Sequence, residues 1–411
     1  MINEQKRIDN RFSLQSIGKL VLCIYIILSF ITSAEYVSST FQSLSLYCMV
    51  GIAIVCFATG QKISLNRYLI WYFAFVAMAF VSTLYSPTSD GGTLYAILVI
   101  FAVAFSLTCF VTEKKDLYSV IYAFAIGATL LVLILMFNGQ LYEEERLGNE
   151  VMGNANSFAS FYMIAVILST WYILYGEKKL YRFLMVISVV LNFYALLLSG
   201  GRKFVIIPFI YIYVALLFKT DRNGKKHIVF YTILIVVLVA IMFALIMNVE
   251  VLYDSIGVRM EGLFDAFFGE GGDASSKLRK KMSTLAWERG WESPIIGHGI
   301  DSFKILCKSE LGYEVYSHNN YTEIWYNHGI IGLALYYSFH ILLIVKAIKL
   351  REKALNLSAF IVAYIISAFV FGFGGVTYSL LFVQIVLALC AIVETFKEFK
   401  VDNDGENQDI I

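Results

Sequence analysis

The stretch LYSVIYAFAIGATLLVLILMFN, residues 117–138, decides the fold class of this chain. It contains no charged side chain, and it is long enough for an α-helix to cross the hydrocarbon part of a bilayer, which takes roughly 20 apolar residues. A soluble globular protein keeps most of its residues in contact with water and has no room for several such runs. The stretch therefore predicts a transmembrane helix.

Comparable runs recur along the chain and predict an all-α, polytopic membrane protein with about twelve spans. Hydrophobic residues make up 59% of the 411 residues and charged residues 15%, against about 25% charged residues in an ordinary soluble domain. This composition excludes a soluble enzyme, a disordered protein and a disulfide scaffold. It also disfavours an outer-membrane β-barrel, whose strands alternate polar and apolar residues. The other predicted spans lie at 17–34, 41–60, 68–85, 93–112, 155–175, 180–199, 203–218, 228–248, 329–345, 356–373 and 377–395.

Lysine and arginine predict the orientation in the membrane, because cytoplasmic loops carry an excess of both. With the N-terminus in the cytoplasm, the cytoplasmic segments hold 21 of the 32 cations, and the short outer loops hold three, which are Arg146, Arg202 and Lys203. The remaining eight lie in one long segment, where the rule is weak. We therefore expect both chain ends in the cytoplasm and the long segment outside.

Four regions follow from this topology. They are an N-terminal bundle of about nine helices at 1–248, an extracytoplasmic loop domain at 249–328, about three further helices at 329–400 and a cytoplasmic tail at 401–411. The first run follows a basic tail and lacks a small-residue cleavage site, so we expect a retained helix and not a signal peptide. The aromatic residues of the loop domain, including those at 263–268, predict short helices lying on the membrane face.

The sequence contains no motif that indicates binding of a metal, a cofactor or a nucleic acid. The net charge of +1 predicts no nucleic-acid partner. The six cysteines form no CxxC pair and no metal-ligand spacing, so we expect small buried hydrophobic side chains. The histidines form no HExxH motif, and we predict neither a metal site nor a cofactor.

Two basic segments on the predicted outer side are candidates for anion binding. At 199–203 (SGGRK), glycines allow close backbone approach and arginine offers a bidentate fork to phosphate. The alternative there is a tight turn with snorkelling side chains. At 277–281 (KLRKK), the cations suit a phosphorylated lipid, and the alternatives are anionic headgroups or a solvated helix face.

Two further outer segments carry polar side chains. At 318–323 (HNNYTE), a histidine can exchange protons near neutral pH, although a lone histidine is more often structural. The acidic residues 143–145 and the amides of 153–156 (GNAN) suit sugar hydroxyls. The alternative for this pair is a solvated loop with Asn156 as a helix cap.

Taken in their order along the chain, these motifs resemble those of the O-antigen ligase/polymerase family, whose members handle polyprenyl-diphosphate-linked glycans. The motifs cover roughly residues 150–335, and the pattern of spans extends the resemblance to the whole chain. One departure is Gly201, where many members have a serine before the arginine. The matching pieces are GNAN at 153–156, SGGR at 199–202, Arg279 ahead of SPIIGHG at 293–299, HNNYTE at 318–323 and GIIG at 329–332.

The resemblance implies a mostly helical membrane glycosyltransferase of the GT-C type, with a large outer loop over a cavity. It further implies that Arg202 and Arg279 bind the donor diphosphate and that His318 activates the acceptor hydroxyl. One base with direct displacement would invert the anomeric centre, without a metal. The expected substrate-binding residues are Lys203, Lys280, Lys281, Asn154, Asn156, Asn319, Tyr321 and Glu323.

The resulting hypothesis is a polymerase of undecaprenyl-diphosphate-linked oligosaccharide repeat units for O-antigen or capsular polysaccharide, acting on the outer face of the bacterial cytoplasmic membrane. Membrane lipids are expected partners, and a chain-length regulator protein is a candidate partner. An O-antigen ligase or an oligosaccharyltransferase uses the same donor and stays open as the alternative. A transporter of lipid-linked sugars is disfavoured, because the spans lack mid-membrane charges and detectable halves. A non-catalytic scaffold or receptor would need neither His318 nor Arg279.

Overall fold

The structure is a computed structural model that describes residues 13–34, 37–88, 91–142, 146–218, 225–262 and 274–396. Within these ranges the regular elements are helices and no strand occurs, which confirms the predicted all-α class. The basic N-terminal tail, the acidic residues 143–145, the aromatic residues at 263–268 and the C-terminal tail lie outside the described residues. The described helices of ten or more residues are α1 Leu14–Ile31, α2 Ser39–Ala58, α3 Arg67–Ser82, α4 Gly92–Phe110, α5 Lys114–Phe137, α6 Ala155–Tyr175, α7 Lys179–Leu198, α8 Arg202–Phe218, α9 Lys225–Asn248, α10 Ala274–Gly290, α11 Ser302–Leu311, α12 Asn320–Lys349, α13 Leu355–Gly372 and α14 Leu381–Val393.

Nine of the described helices are long and apolar enough to cross a membrane, which confirms a polytopic membrane fold. Each of the twelve predicted runs coincides with a helix, but α3, α8 and α14 are shorter, at 16, 17 and 13 residues. The count of twelve spans therefore stays a prediction. Large apolar side chains such as Ile70, Phe73 and Phe137 are exposed on the bundle, which suits a surface that faces lipid.

The described part of the predicted loop domain contains short helices, as expected from its aromatic residues. A small apolar core of its own joins α10 and α11 to the first half of α12. Its buried members are Met282, Ala286, Phe303, Cys307 and Tyr326. Because this core is separate from the main one, the three helix segments form a packed unit at one end of the bundle. That this unit lies on the membrane face stays a prediction.

A break at Gly329 divides α12 into two halves. Gly329 has φ 60° and ψ −160°, a region that is essentially restricted to glycine. The SPIIGHG segment packs into the break and satisfies its backbone: Ile330 N–H donates to the carbonyl oxygen of Pro294 at 2.8 Å, and Gly299 N–H donates to that of Asn327 at 2.9 Å. Two of the sequence motifs, SPIIGHG and GIIG, therefore form one joint between the loop domain and a membrane helix.

Substitution Gly329→Ala is expected to destabilise this joint. A Cβ at this position would overlap the carbonyl oxygen of Ile295, and the backbone conformation alone costs a non-glycine residue about 1–3 kcal/mol. We expect a lower thermal unfolding midpoint of the protein in detergent. The matched control is Gly51→Ala, whose Cβ would meet nothing within 4 Å and which should leave the midpoint unchanged or slightly higher. Equal midpoints for Gly329→Ala and the wild type would contradict the structural role of the break.

Polar groups gather at the two ends of the helix bundle. At one end, Lys114 pairs with Glu177 at 2.9 Å and Lys346 pairs with Glu394 at 2.9 Å. The other end holds the first turns of α4, α6, α8 and α12 and the link between α13 and α14. The motifs found in the sequence share this second end, and its exposure to the outside of the cell stays a prediction.

The cysteines are all free. Burial was predicted for them, and it is confirmed for Cys56, Cys109, Cys307 and Cys390. The prediction was wrong for Cys48, which is exposed on α2. A thiol on a helix surface that faces lipid keeps an apolar environment without burial inside the protein.

Candidate functional site

A polar cavity of about 300 Å³ lies at the end of the bundle that carries the motifs. Its wall combines the first turns of α4, α6, α8 and α12 with residues 375–380, between α13 and α14. Four of the residues predicted to bind substrate line it: Asn154, Asn156, Lys203 and Glu323. Segments far apart in the sequence therefore meet at one concave site, as is typical of ligand sites.

Lys203 holds its ammonium group at the wall of this cavity. It lies in the first turn of α8, and its Nζ donates a hydrogen bond to the carbonyl oxygen of Gly374. The ammonium nitrogen lies 4.8 Å from the ring centroid of Phe204 and 5.4 Å from that of Phe371. Two aromatic rings and a carbonyl fix the cation in a partly desolvated position, where it attracts an anion more strongly than in water.

His318 shares an electrostatic environment with two cations. Burial, the Arg279 guanidinium and the Lys203 ammonium lower the pKa of His318 from its ordinary 6.5 to about 4. The imidazole centroid lies 4.5 Å from the ring centroid of Tyr316, which lines the cavity. Arg279, Lys203 and His318 therefore lie close enough to influence one another, and the imidazole is neutral at pH 7, the form that accepts a proton.

Arg202 is buried and held by other parts of the protein. Its guanidinium donates to the carbonyl oxygen of Arg259 and, at 3.1 Å, to the hydroxyl of Ser276. Ser276 and Arg279 are three residues apart on α10 and so lie on the same face of that helix. Arg202 is not among the described residues that line the cavity. Its contact with Ser276 is made on the face of α10 that carries Arg279.

Lys280 and Lys281 lie on a different face of α10 from Arg279. Together with Lys277 they line a separate surface groove of about 490 Å³. Neighbouring residues of an α-helix point in directions about 100° apart, so the cations of the KLRKK segment cannot all face one site. The structure brings Arg279 to the environment of His318 and places Lys280 and Lys281 away from it.

Two of the predicted binding residues, Asn319 and Tyr321, hold the loop of His318 in place. Asn319 is the N-cap of α12, and its Oδ1 accepts hydrogen bonds from the following backbone amides at 2.9 and 3.2 Å. Tyr321 donates its hydroxyl to the carbonyl oxygen of Phe369 at 2.9 Å and stacks on Tyr337. His318 has a left-handed backbone, φ 58°, which a non-glycine residue keeps only when its surroundings enforce it.

Glu323 lines the cavity and braces the same loop. Its buried carboxylate accepts from the backbone N–H of Ser317 at 2.6 Å and from Nδ2 of Asn327 at 3.0 Å. Asn327 in turn accepts from the backbone N–H of Phe303 at 3.1 Å. A continuous hydrogen-bond network therefore connects the loop of His318 to the start of α11.

Residues 187–337 match the protein family described as O-antigen ligase. Over this region the chain is similar to that family. The match spans the motifs at 199–202, 293–299 and 318–323 and includes Arg279, so it confirms the resemblance inferred from them. It supports an activity of the O-antigen ligase/polymerase type on a lipid-linked oligosaccharide, in the bacterial inner membrane. No curated protein matches the chain.

The GNAN stretch lies outside the O-antigen ligase region but reaches the same cavity. Asn154 accepts from the backbone N–H of Asn156 at 2.8 Å and is the N-cap of α6, so the helix cap that the alternative reading gave to Asn156 is formed by Asn154. The Oδ1 of Asn156 instead accepts from Nη2 of Arg146 at 3.5 Å. Arg146 also donates to the carbonyl oxygen of Ser199 at 3.1 Å. Arg146 thus connects the GNAN stretch to the SGGR motif. The only feature of the sequence that pointed to Arg146 was its position in a short outer loop.

The residues of the cavity wall that were not predicted from the sequence include Thr93, Asp301 and Lys304. The Oδ1 of Asp301 accepts from the hydroxyl of Thr93 at 2.7 Å and pairs with Nζ of Lys304 at 2.8 Å. The available signal was an acidic residue shortly after the glycine-rich SPIIGHG motif of the O-antigen ligase region, with a lysine one helical turn later. Thr93 carries no such signal, because it reaches the site through the packing of α4.

Proposed function

We propose that the protein polymerises oligosaccharide repeat units carried on undecaprenyl diphosphate, at the outer face of the bacterial cytoplasmic membrane. The observation that carries this proposal is the shared environment of Arg279, Lys203 and His318 beside a cavity lined by Asn154 and Asn156. Cations suit the diphosphate, the imidazole suits an acceptor hydroxyl, and the amides suit sugar hydroxyls.

The cations would act on the leaving group. When the bond between the anomeric carbon and the diphosphate oxygen breaks, negative charge grows on the diphosphate. Arg279 and Lys203, held in place before the reaction, stabilise that charge more in the transition state than in the ground state. Their partly desolvated setting strengthens this effect. Arg202 supports the same step through Ser276, because it positions the face of α10 that carries Arg279.

The imidazole would act on the acceptor. Neutral His318 takes the proton of an acceptor hydroxyl while the hydroxyl oxygen forms its bond to the anomeric carbon. The bond to the diphosphate breaks in the same displacement, and undecaprenyl diphosphate leaves with its electron pair. A single displacement of this kind inverts the configuration at the anomeric carbon.

The proposed role of His318 predicts the pH dependence of the transfer rate. The neutral imidazole is the active form, so kcat/KM should fall as the pH drops through about 4, the pKa of His318 in the structure. Because Lys203 helps to lower that pKa, Lys203→Met should move the acid limb to higher pH, part of the way toward 6.5. Lys281→Met is the matched control and should leave the limb in place. An acid limb that does not move in Lys203→Met would count against the assignment of His318.

Arg202→Lys keeps the charge but loses the fork that reaches both Arg259 and Ser276. Since small displacements at an active site have large effects on rate, we expect the transfer rate to fall by about 10- to 100-fold. The control is Arg182→Lys, because Arg182 is exposed and donates to the carbonyl oxygen of Ile173 at the other end of the bundle. A wild-type rate for Arg202→Lys would remove Arg202 from the proposal.

An O-antigen ligase, which transfers finished glycan to lipid A core or to protein, is the second candidate, because the matched family is described as O-antigen ligase. The surface polysaccharide of cells that lack the protein separates the two functions. A single repeat unit on the acceptor identifies a lost polymerase and supports the proposal. Full-length polymer that is not attached to its acceptor identifies a lost ligase. Repeat units that accumulate on the inner leaflet identify a transporter, and both of the last two results contradict the proposal.

A further inference from the structure

Asp301 places a buried carboxylate in the wall of the cavity with one oxygen unused. Its side chain is 2% exposed. The Oδ1 atom is engaged by Thr93 and Lys304, at 2.7 and 2.8 Å. The Oδ2 atom is buried and has no hydrogen-bond partner among the described residues. Because a buried polar atom without a partner is unfavourable, the arrangement points to a ligand that supplies a donor.

The backbone at Asp301 is held in an unusual conformation. Asp301 and His318 are the two non-glycine residues of the described chain with positive φ, at 60° and 58°. Such conformations persist where the surroundings enforce them, and they cluster at functional sites. The preceding turn is tight, because a Cβ on Gly299 would lie 2.8 Å from the carbonyl oxygen of Ser82. The chain is thus fixed so that the Asp301 carboxylate faces the cavity.

The rest of the wall indicates which kind of donor fits. Besides the charged residues Lys203, Lys304 and Glu323, the cavity is lined by neutral hydroxyls and amides, including Ser157, Ser160, Ser379 and Asn154. The Oδ1 atom of Asp301 is already paired with Lys304, and the remaining Oδ2 atom repels a phosphate oxygen but readily accepts a hydrogen bond from a hydroxyl group. Among the described residues no group of three or more His, Cys, Asp or Glu side chains is placed to hold a metal ion. A sugar is therefore the ligand class that suits this part of the cavity.

We infer that Oδ2 of Asp301 accepts a hydrogen bond from a hydroxyl group of the glycan bound in this cavity, which makes Asp301 a specificity-determining residue. The inference rests on the proposed function, since that function brings a glycan to the site. The diphosphate then lies toward Lys203, and the sugar lies toward Asp301, whose own charge is compensated by Lys304. The glycan can belong to the acceptor or to the donor, and the chemistry of recognition is the same.

The test uses the purified full-length protein and oligosaccharides released from the host's own surface polysaccharide by partial acid hydrolysis. Asp301→Asn keeps the size of the side chain and tolerates a positive φ, but removes the charge. We expect the Kd for these lipid-free oligosaccharides to rise about tenfold or more. Asp254→Asn is the matched control, because Asp254 is exposed outside the cavity, and its Kd should equal that of the wild type. An unchanged Kd for Asp301→Asn would overturn the inference.

Thr93→Val tests whether the change in Kd of Asp301→Asn is a purely structural effect. It removes the hydroxyl that orients Oδ1 and leaves the carboxylate in place, so it should raise the Kd by a smaller factor in the same direction. Kinetics give a second readout: Asp301→Asn should raise KM for the sugar substrate more than it lowers kcat. A raised KM for the acceptor assigns the hydroxyl to the acceptor, and a raised KM for the donor assigns it to the donor. Equal KM values in variant and wild type would again overturn the inference.

The inference and the proposed function fail in different ways. If Arg279→Ala and His318→Ala still transfer sugar at the wild-type rate, the proposed mechanism fails, whereas the binding experiment on Asp301 is unaffected. If those variants lose transfer but Asp301→Asn binds the oligosaccharides as tightly as the wild type, only the inference about Asp301 fails.

Discussion

Replacement of His318 by alanine is expected to lower the rate of glycosidic bond formation by about 10²–10⁴-fold, the usual contribution of a positioned general base. The acceptor hydroxyl is a poor nucleophile, and no other imidazole among the described residues shares the environment of Arg279 and Lys203. The rate is measured in membranes supplied with lipid-diphosphate-linked repeat units, at matched protein levels.

The control for this prediction is His227→Ala. His227 is exposed at the start of α9 and contacts the ring of Tyr231, so its loss should leave the rate unchanged. Thermal unfolding of both variants in detergent checks that the fold is intact. A folded His318→Ala variant that transfers sugar at the wild-type rate would refute the role of His318 as the base.

Arg279→Ala is expected to lower the rate by about 10²–10³-fold, the range measured when one preorganised donor to a developing negative charge is removed. The physical reason is that the diphosphate gains negative charge as it leaves. Arg279 lies close enough to Lys203 and His318 to influence both electrostatically. The measurement is the release of lipid diphosphate in the membrane assay used for His318.

The chain offers unusually close controls for Arg279. Lys280 and Lys281 follow it directly in the sequence but line a separate surface groove. Lys280→Ala and Lys281→Ala remove the same net charge from the same helix, and we expect both to retain a rate close to that of the wild type. If all three substitutions reduce the rate equally, the effect belongs to the basic patch as a whole, and the specific placement of Arg279 is wrong.

Much of the fold could be predicted from the sequence, because a bilayer forces long uninterrupted apolar helices. The stretch 117–138 coincides with α5 for this reason. The break at Gly329 was not predicted. The predicted span began at residue 329, whereas α12 begins at Asn320 and changes direction at Gly329. The broken helix is stabilised by the SPIIGHG segment at 293–299, and that contact is not visible in the local sequence of α12.

Site residues could be predicted from the sequence where the residue type itself indicates the chemistry. They could not be predicted where the packing of distant segments determines the environment of the side chain. Helical periodicity shows that Arg279, Lys280 and Lys281 cannot share one face of α10. Only the packing of α10 determines that Arg279 is the one that lies near His318. Asp301 was missed because an acid beside glycines is typical of an exposed turn. Its burial depends on contact with Thr93, far upstream in the chain.

The most direct test of the central claim is a reaction with the purified protein in liposomes and undecaprenyl-diphosphate-linked repeat units as the only substrate. We predict products of two and more repeat units, with one undecaprenyl diphosphate released for each new glycosidic bond, and loss of both signals in Arg279→Ala. A correctly folded wild-type protein that leaves the repeat units unjoined and releases no undecaprenyl diphosphate would contradict the account.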